Sequence, residues 1–206
     1  MNTPYRQIRA HYDDQFITVY QAYSSTIASA AVQQQKLNAS PDFRTGTRMT
    51  WIKPSWGWML YRSGYSFKDA GQERVLALKM RHNDFVRGLL ERGVLSHKQL
   101  SQPKTDAVRI QWDPERTVRL EKLEYRSIQI GIPSTLVTQW VEETIVSIED
   151  VTDTARTLKK VLGERPDVTD EELRDMGLIP EERPFEVPDE LQVALGMVTR
   201  EEQRKG

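Results

Sequence analysis

A chain of 206 residues is long enough for one substantial core with an appendage and too short for two full domains. With 38% apolar and 29% charged residues, no run of roughly 18 apolar positions and no cysteine, it reads as a globular chain without membrane spans, disulfides or thiol chemistry. The net charge of −1 conceals an asymmetry, since residues 1–126 hold 20 Lys and Arg against 12 Asp and Glu while residues 127–206 hold 9 against 18.

The opening residues lack an apolar signal core, which predicts a cytoplasmic protein. Residues 5–12 and 16–23 are rich in aromatic and β-branched side chains and read as a hairpin or two neighbouring strands. Ser24 and Ser25 offer a helix N-cap ahead of apolar Ile27, Ala30, Ala31 and Val32 at near-helical spacing, and residues 38–46 form a loop. The block RMTWIKPSWGWMLYRSGY (48–65) then reads as one or two strands interrupted by Pro54 and Gly57. RVLALKM (74–80) has the apolar run of a buried strand. A helix follows from Asn83 or Asp84, with Gly93 as its stop, and residues 96–106 are a polar connection. Residues 108–112 read as a short strand ending in a turn at Asp113-Pro114. In residues 125–132, Ile128, Ile130 and Ile132 share one strand face, with Gln129 opposite. Ser134 opens a helix, residues 145–148 continue as a strand, and Asp150 or Thr152 caps a helix to Leu162. The remaining residues, 164–206, hold 13 acids and four prolines and two short amphipathic pieces at 169–176 and 189–195. We expect a single α+β domain over 1–163, built on a mixed, largely antiparallel sheet with flanking helices, and a partly docked acidic C-terminal arm over 164–206.

Several chemistries fail their spacing tests. No two glycines are spaced as GxG, no Lys-Ser/Thr completes a P-loop, and GxSxG is absent. His11, His82 and His97 form no close metal pair, so no metal is expected.

Four constellations remain. On the opening strand, alternation places Arg9 and His11 on one face, able to grip a phosphate and move a proton or simply to face solvent. The strand-to-helix step carrying Tyr20 and Gln21 leads to free helix N–H groups near Ser24, a potential anion site. The aromatic block gathers Trp51, Trp56, Trp58 and Tyr61 with the cations Arg48, Lys53 and Arg62. In strand alternation Trp56, Trp58 and Arg62 share one face and Met49, Trp51 and Lys53 the other. Rings beside fixed cations suit a flat, negatively charged ligand, or a tryptophan-heavy core with cations on its rim. Lastly, QWDPER (Gln111 to Arg116) turns at Asp113-Pro114, so that Asp113, Glu115 and Arg116 would project from a strand-end loop as binding or catalytic groups, or form a salt-bridged turn.

Together RQIRAHYD (6–13), ITVYQAYSSTIA (17–28), the aromatic block, QERVLALKMR (72–81), VRIQWDPER (108–116), YRSIQIGI (125–132), SIEDVT (147–152) and the LIPEERPFEVP arm resemble the domain of unknown function numbered 4291. That resemblance brings no activity with it. In element order alone, the chain also looks like ADP-ribosyltransferase folds, which clamp NAD in a cleft. The likeness implies that His11 or Arg9 grips the cofactor, that Tyr20, Trp51 or Tyr61 stacks the nicotinamide, and that Gln129 or Glu149 supplies the late polar group. The resulting expectation is an enzyme directed at a nucleotide or nucleic acid, with ADP-ribosyl or glycosyl transfer from NAD. Arg9, His11, Asp113 and Gln129 are its candidate catalytic groups. Tyr20, Gln21, Arg48, Trp51, Lys53, Tyr61, Arg62, Gln111 and Arg116 are its candidate ligand contacts. The alternative is a non-enzymatic binding module for RNA or single-stranded nucleic acid, with exposed rings on a basic face.

Overall fold

The computed structural model describes residues 3–95 and 107–198. In chain order its elements are β1 (Arg9–Ala10), β2 (Phe16–Tyr23), α1 (Ser25–Gln34), β3 (Thr50–Ile52), α2 (Trp56–Ser63), β4 (Arg74–Arg81), β5 (Gly93–Leu95), β6 (Val108–Arg116), β7 (Lys122–Ile132), α3 (Ser134–Gln139), β8 (Ile145–Asp150), α4 (Thr152–Glu164), α5 (Asp170–Asp175), β9 (Arg183–Pro184) and α6 (Asp189–Ala194). Strands and helices alternate without regular βαβ units, and antiparallel pairing dominates, so the fold is α+β. The connection expected over residues 96–106 and His97 lie outside the described residues. Among the described residues, no helix is long and apolar enough to cross a membrane.

One sheet runs β2-β4-β8, all antiparallel, and a second runs β3-β7-β6-β5 with only β5 parallel to its neighbour. Their edges meet where Tyr20 and Lys53 exchange backbone hydrogen bonds of 2.7 and 3.3 Å. Strand alternation then sorts the side chains. Ile17 and Val19 of β2, Leu76, Leu78 and Met80 of β4, and Ile128, Ile130 and Ile132 of β7 enter one core together with Ile27, Ala28 and Ala31 of α1. The opposite face of β2 and β4, carrying Tyr20, Val75 and Ala77, packs on Trp56, Met59 and Leu60 of α2 and on Ala155 and Leu158 of α4. Residues beyond 163 contribute to both cores: Phe185, Val187, Leu191 and Leu195 to the first, Val168, Leu173, Leu178 and Ile179 to the second.

Several local expectations are corrected. Only Arg9–Ala10 of the opening segment is strand, and it pairs with β9 from the far end of the chain rather than with β2; a single bridge joins Tyr12 to Ile17. From Trp56 to Ser63 the aromatic block is helical. Pro54 and Ser55 mark a helix start: Ser55 Oγ accepts the Trp58 N–H at 3.0 Å, and Gly64 closes the helix at φ +57°. Trp56 and Trp58 are therefore about 200° apart around an axis and do not share a face. Gly57 has a packing role, because a Cβ there would lie 2.2 Å from the Arg116 carbonyl oxygen. The turn expected at Asp113-Pro114 is instead an extension of β6, with a register shift between Pro114 and Arg116 that tolerates the missing proline N–H. Helix α3 takes Pro133, not Ser134, at its N-cap, and it continues through a π-helical turn to Thr144. Past β4 the chain forms a π-helical turn over Asp84–Leu89 and then a 3-10 turn, after which Gly93 opens β5.

Candidate functional site

At the seam between the two sheets lies a cavity of about 620 Å³. Its walls come from the end of β2, from β3 and the residues before it, from α2 and from the loop after α2. Seven of the sequence-derived candidates line it: Tyr20, Gln21, Arg48, Trp51, Lys53, Arg62 and Gln129. Arg48 and Arg62 are exposed at its edge, whereas Lys53 is only 5% exposed. A second hollow of about 470 Å³ shares Tyr23, Ile27, Arg48 and Thr50 with the first and adds Arg44, Asp42 and Phe43. The result is an elongated cleft with arginines along its edge and rings in its walls.

Lys53 is placed by the backbone. Trp51 pairs with Gly131 in β7, and the strand parity that sets Trp51 on the polar face carries Lys53 to the same face. Arg109, Gln111 and Asp113 of β6 and Gln129 of β7 lie on that face too, because their neighbours Ile110, Trp112, Ile128 and Ile130 fill the core. The Lys53 Nζ sits 4.3 Å from the Trp58 ring centroid. Burial pulls its amine down to about 7, the charge of Asp113 opposes that fall, and Arg62 adds to it. Burial therefore weakens the charged form of Lys53, which the sequence alone presents as a fixed cation. Burial also raises the Asp113 carboxyl, against the pull of Lys53 and Arg126.

Gln21 is committed within the protein. Its amide donates to Thr50 Oγ1 and to the Trp51 carbonyl, both at 2.8 Å, and its oxygen accepts the Tyr23 hydroxyl at 3.0 Å. It fastens β2 to β3 and keeps the cleft wall in place. Gln129, which lines the cavity, donates to Gln111 Oε1 at 2.8 Å, whereas Gln111 does not line it. The anion site expected at the start of α1 is filled by the chain itself, since Glu73 Oε1 accepts the Ser25 N–H at 2.9 Å.

Tyr61 and Arg116 stand outside the cavity but are linked to it. Arg116 lies over the Tyr61 ring at 4.0 Å, Tyr61 meets Trp58 edge-on at 5.9 Å, and Trp58 carries Lys53 on its face. Arg9 and His11 lie away from this cleft. Arg9 donates to the Glu182 carbonyl at 3.0 Å, and His11 Nδ1 is 3.2 Å from the Glu181 carbonyl oxygen. His11 lines a smaller cavity of about 320 Å³ on the far side of Tyr20, with Lys79, Ser147 and Glu149. Register explains that grouping: Tyr20 faces Ala77, which faces Glu149, while Thr18 faces Lys79, which faces Ser147. Tyr20 lines both cavities, so its ring divides them.

Glu115, expected to project from a strand-end loop, is instead buried and partnered, and its neighbour Glu182 escaped sequence reasoning. Glu115, 5% exposed, accepts the Ser55 hydroxyl at 2.7 Å and the Arg116 N–H at 2.8 Å. Glu182, half-buried, accepts the Trp56 N–H at the start of α2. Burial and the neighbouring Glu115 charge push the Glu182 carboxyl up to about 8, against the Trp56 N–H and Arg9. Glu115 is raised as well, chiefly by burial. No local pattern signals this pair, because 67 residues separate its members, and they meet where Ser55 and Trp56 at the start of α2 donate to Glu115 and Glu182. Among the described residues, no group of three His, Asp or Glu side chains gathers as a metal site.

The chain belongs to the family described as a domain of unknown function (DUF4291), whose sequence model matches residues 7–185. No curated protein matches it.

Proposed function

We propose that the cleft binds an anionic nucleotide and that the protein is a nucleotide-directed enzyme, with glycosyl or ADP-ribosyl transfer from NAD as its reaction. The observation that carries this reading is that Arg48, Lys53 and Arg62 line one cavity together with the rings of Tyr20 and Trp51. Edge arginines suit phosphate oxygens through bidentate hydrogen bonds, and ring walls suit a base or a nicotinamide. A concave site with buried rings favours a small nucleotide over a strand laid across a flat stacking platform. For the transfer reaction this reading requires the ribosyl bond to reach past Tyr20, which lines both cavities, into the smaller one that His11 and Glu149 line. A carboxylate beside the scissile glycosidic bond stabilises the positive charge that develops on the ribosyl carbon.

The test is calorimetric titration with NAD, ADP-ribose, ATP and a short single-stranded RNA, coupled to thermal melting. A nucleotide present at about 100 times its dissociation constant adds about 2.7 kcal/mol, or roughly 5–10 °C for a chain of this size. Arg48→Gln and Arg62→Gln are expected to weaken nucleotide binding about tenfold or more each. Glu149→Gln should leave binding intact while lowering nicotinamide release from NAD at least a hundredfold. Binding of RNA alone, with steep salt dependence, would replace this reading with the nucleic-acid module.

A further inference from the structure

Lys53 follows the strand that joins the two sheets, and its side chain lies in the wall of the large cleft. Among the described residues, no carboxylate comes within ion-pairing distance of its Nζ; the nearest feature that stabilises its charge is the Trp58 ring. The ionisable groups that face it are Asp113 from β6, Arg62 from α2, Arg48 from the segment before β3, Asp69 from the loop after α2 and Tyr20 from β2. Asp113 stays near enough to be felt as a charge, yet its buried Oδ2 has no hydrogen-bond partner. A lysine retained for its charge normally keeps water or a carboxylate, because an unpaired buried ammonium is costly. This one has lost most of its water, and Arg62 repels its charged form. The cleft therefore separates two tasks: exposed Arg48 and Arg62 supply fixed positive charge, and the buried lysine supplies an amine.

We propose that Lys53 is a nucleophilic amine that captures the carbonyl carbon of a phosphate-bearing aldehyde, a ring-opened sugar phosphate in particular, as an imine. The Nζ lone pair adds to the carbonyl carbon, a C=N bond replaces C=O, and the carbonyl oxygen leaves as water with the two amine hydrogens. Arg48 and Arg62 hold the phosphate while this happens. The inference rests on the cleft being the ligand site and narrows the ligand further: breaking a ribosyl glycosidic bond with water frees a sugar whose open form is such an aldehyde. Because burial and the Arg62 charge pull the amine down to about 7, it offers far more free base near neutral pH than a surface lysine does.

The experiment uses pyridoxal 5′-phosphate as a probe carrying both an aldehyde and a phosphate, trapped with borohydride and located by peptide mass mapping. Expected is one dominant adduct, on Lys53, whose formation rate is half-maximal near pH 7 and which disappears in a folded Lys53→Met variant. Arg48→Gln should slow labelling by the phosphorylated probe at least tenfold and leave labelling by plain pyridoxal unchanged, whereas Arg62→Gln, which also removes a charge that lowers the Lys53 amine, should slow the phosphorylated probe more than plain pyridoxal. Labelling scattered over surface lysines, or a Lys53 adduct with a midpoint above about 9, overturns the proposal. Nucleotide binding that persists while Lys53 resists the probe would overturn this inference alone and leave the nucleotide reading standing. Labelling at Lys53 with no nucleotide binding would do the reverse.

Discussion

Lys53 and Glu182 carry opposite stability signatures with pH, and the sign of each follows from its burial. For Lys53 the folded amine lies at about 7 against an ordinary 10.5, so between those values the unfolded chain binds more protons and stability rises with pH. For Glu182 the folded carboxyl lies at about 8 against an ordinary 4.5, so across that window the folded chain binds more protons and stability falls as pH rises. Urea unfolding measured from pH 4 to pH 10 should therefore show Glu182→Gln removing the decline between about 4.5 and 8, while Lys53→Met removes the recovery above about 7. Because Lys53→Met discards a buried, unpaired charge, it is expected to raise stability at pH 6 by about 2–4 kcal/mol. A flat difference curve for either variant would mean that the group is hydrated in solution. Lys53 is visible as a candidate from its cluster of rings and cations, but its burial is not, since burial belongs to the packing around it. Gln21 shows the converse: its position beside the site was legible, whereas its amide proved committed to Thr50, Trp51 and Tyr23.

At the scale of elements, α2 matters most. A run of large aromatics after Pro54 resembles a strand by composition, yet Ser55 at the N-cap and Gly64 at the C-cap define eight helical residues between them. Gly57 lets that helix press against the backbone of β6, so the Trp58 face reaches Lys53 while Trp56 turns into the core beneath Tyr20. Gly57→Ala would force a Cβ into the Arg116 carbonyl and is expected to cost about 1–3 kcal/mol in urea unfolding, with weaker nucleotide binding as the cleft wall shifts. An unchanged midpoint would show that α2 is free to move away from β6. The isoleucine alternation of β7 behaves differently. Ile128, Ile130 and Ile132 are each 1% exposed or less, as their period of two requires, and Gln129 falls on the polar face opposite. Where a segment obeys a single period, its face can be read from the chain; where caps and tight packing compete with composition, as at 54–64, composition misleads.

Over the whole molecule, residues beyond 163 are held by apolar burial and by hydrogen bonds to backbone carbonyls more than by their charge. Phe185, Val187, Leu191 and Leu195 enter the first core, Trp112 Nε1 donates to the Leu195 carbonyl at 2.8 Å, and Arg6 donates to the Gly196 carbonyl at 3.0 Å. Removal of residues 180–206 would expose the buried partners of these side chains and strip Trp56 of its carboxylate acceptor. Such a chain is expected to lose cooperative unfolding and to bind a hydrophobic dye such as ANS. Retention of a sharp transition would mean that the first core closes without its last four apolar members. High salt, by contrast, should change the stability of the intact chain little, because the apolar burial that docks this segment is not screened and the arginines that meet it, Arg6 and Arg9, donate to its backbone carbonyls at short range.

Local pattern is enough to recognise an α+β chain with mostly antiparallel strands, the principal strands β2, β4 and β7, two amphipathic pieces near the end of the chain, and the gathering of rings and cations between residues 48 and 65, but not that the strands divide into separate sheets. Each of those depends on side-chain period, capping chemistry or composition within a few residues. Tertiary packing alone decided that the cleft opens at the Tyr20–Lys53 junction, that His11 and Glu149 lie across Tyr20 from it, and that Glu115 and Glu182 share a buried corner. Those outcomes depend on strand register and burial between segments distant in sequence. Desolvation, which pulls the Lys53 amine down and pushes the Glu182 carboxyl up, exists only once those segments have closed over the groups concerned.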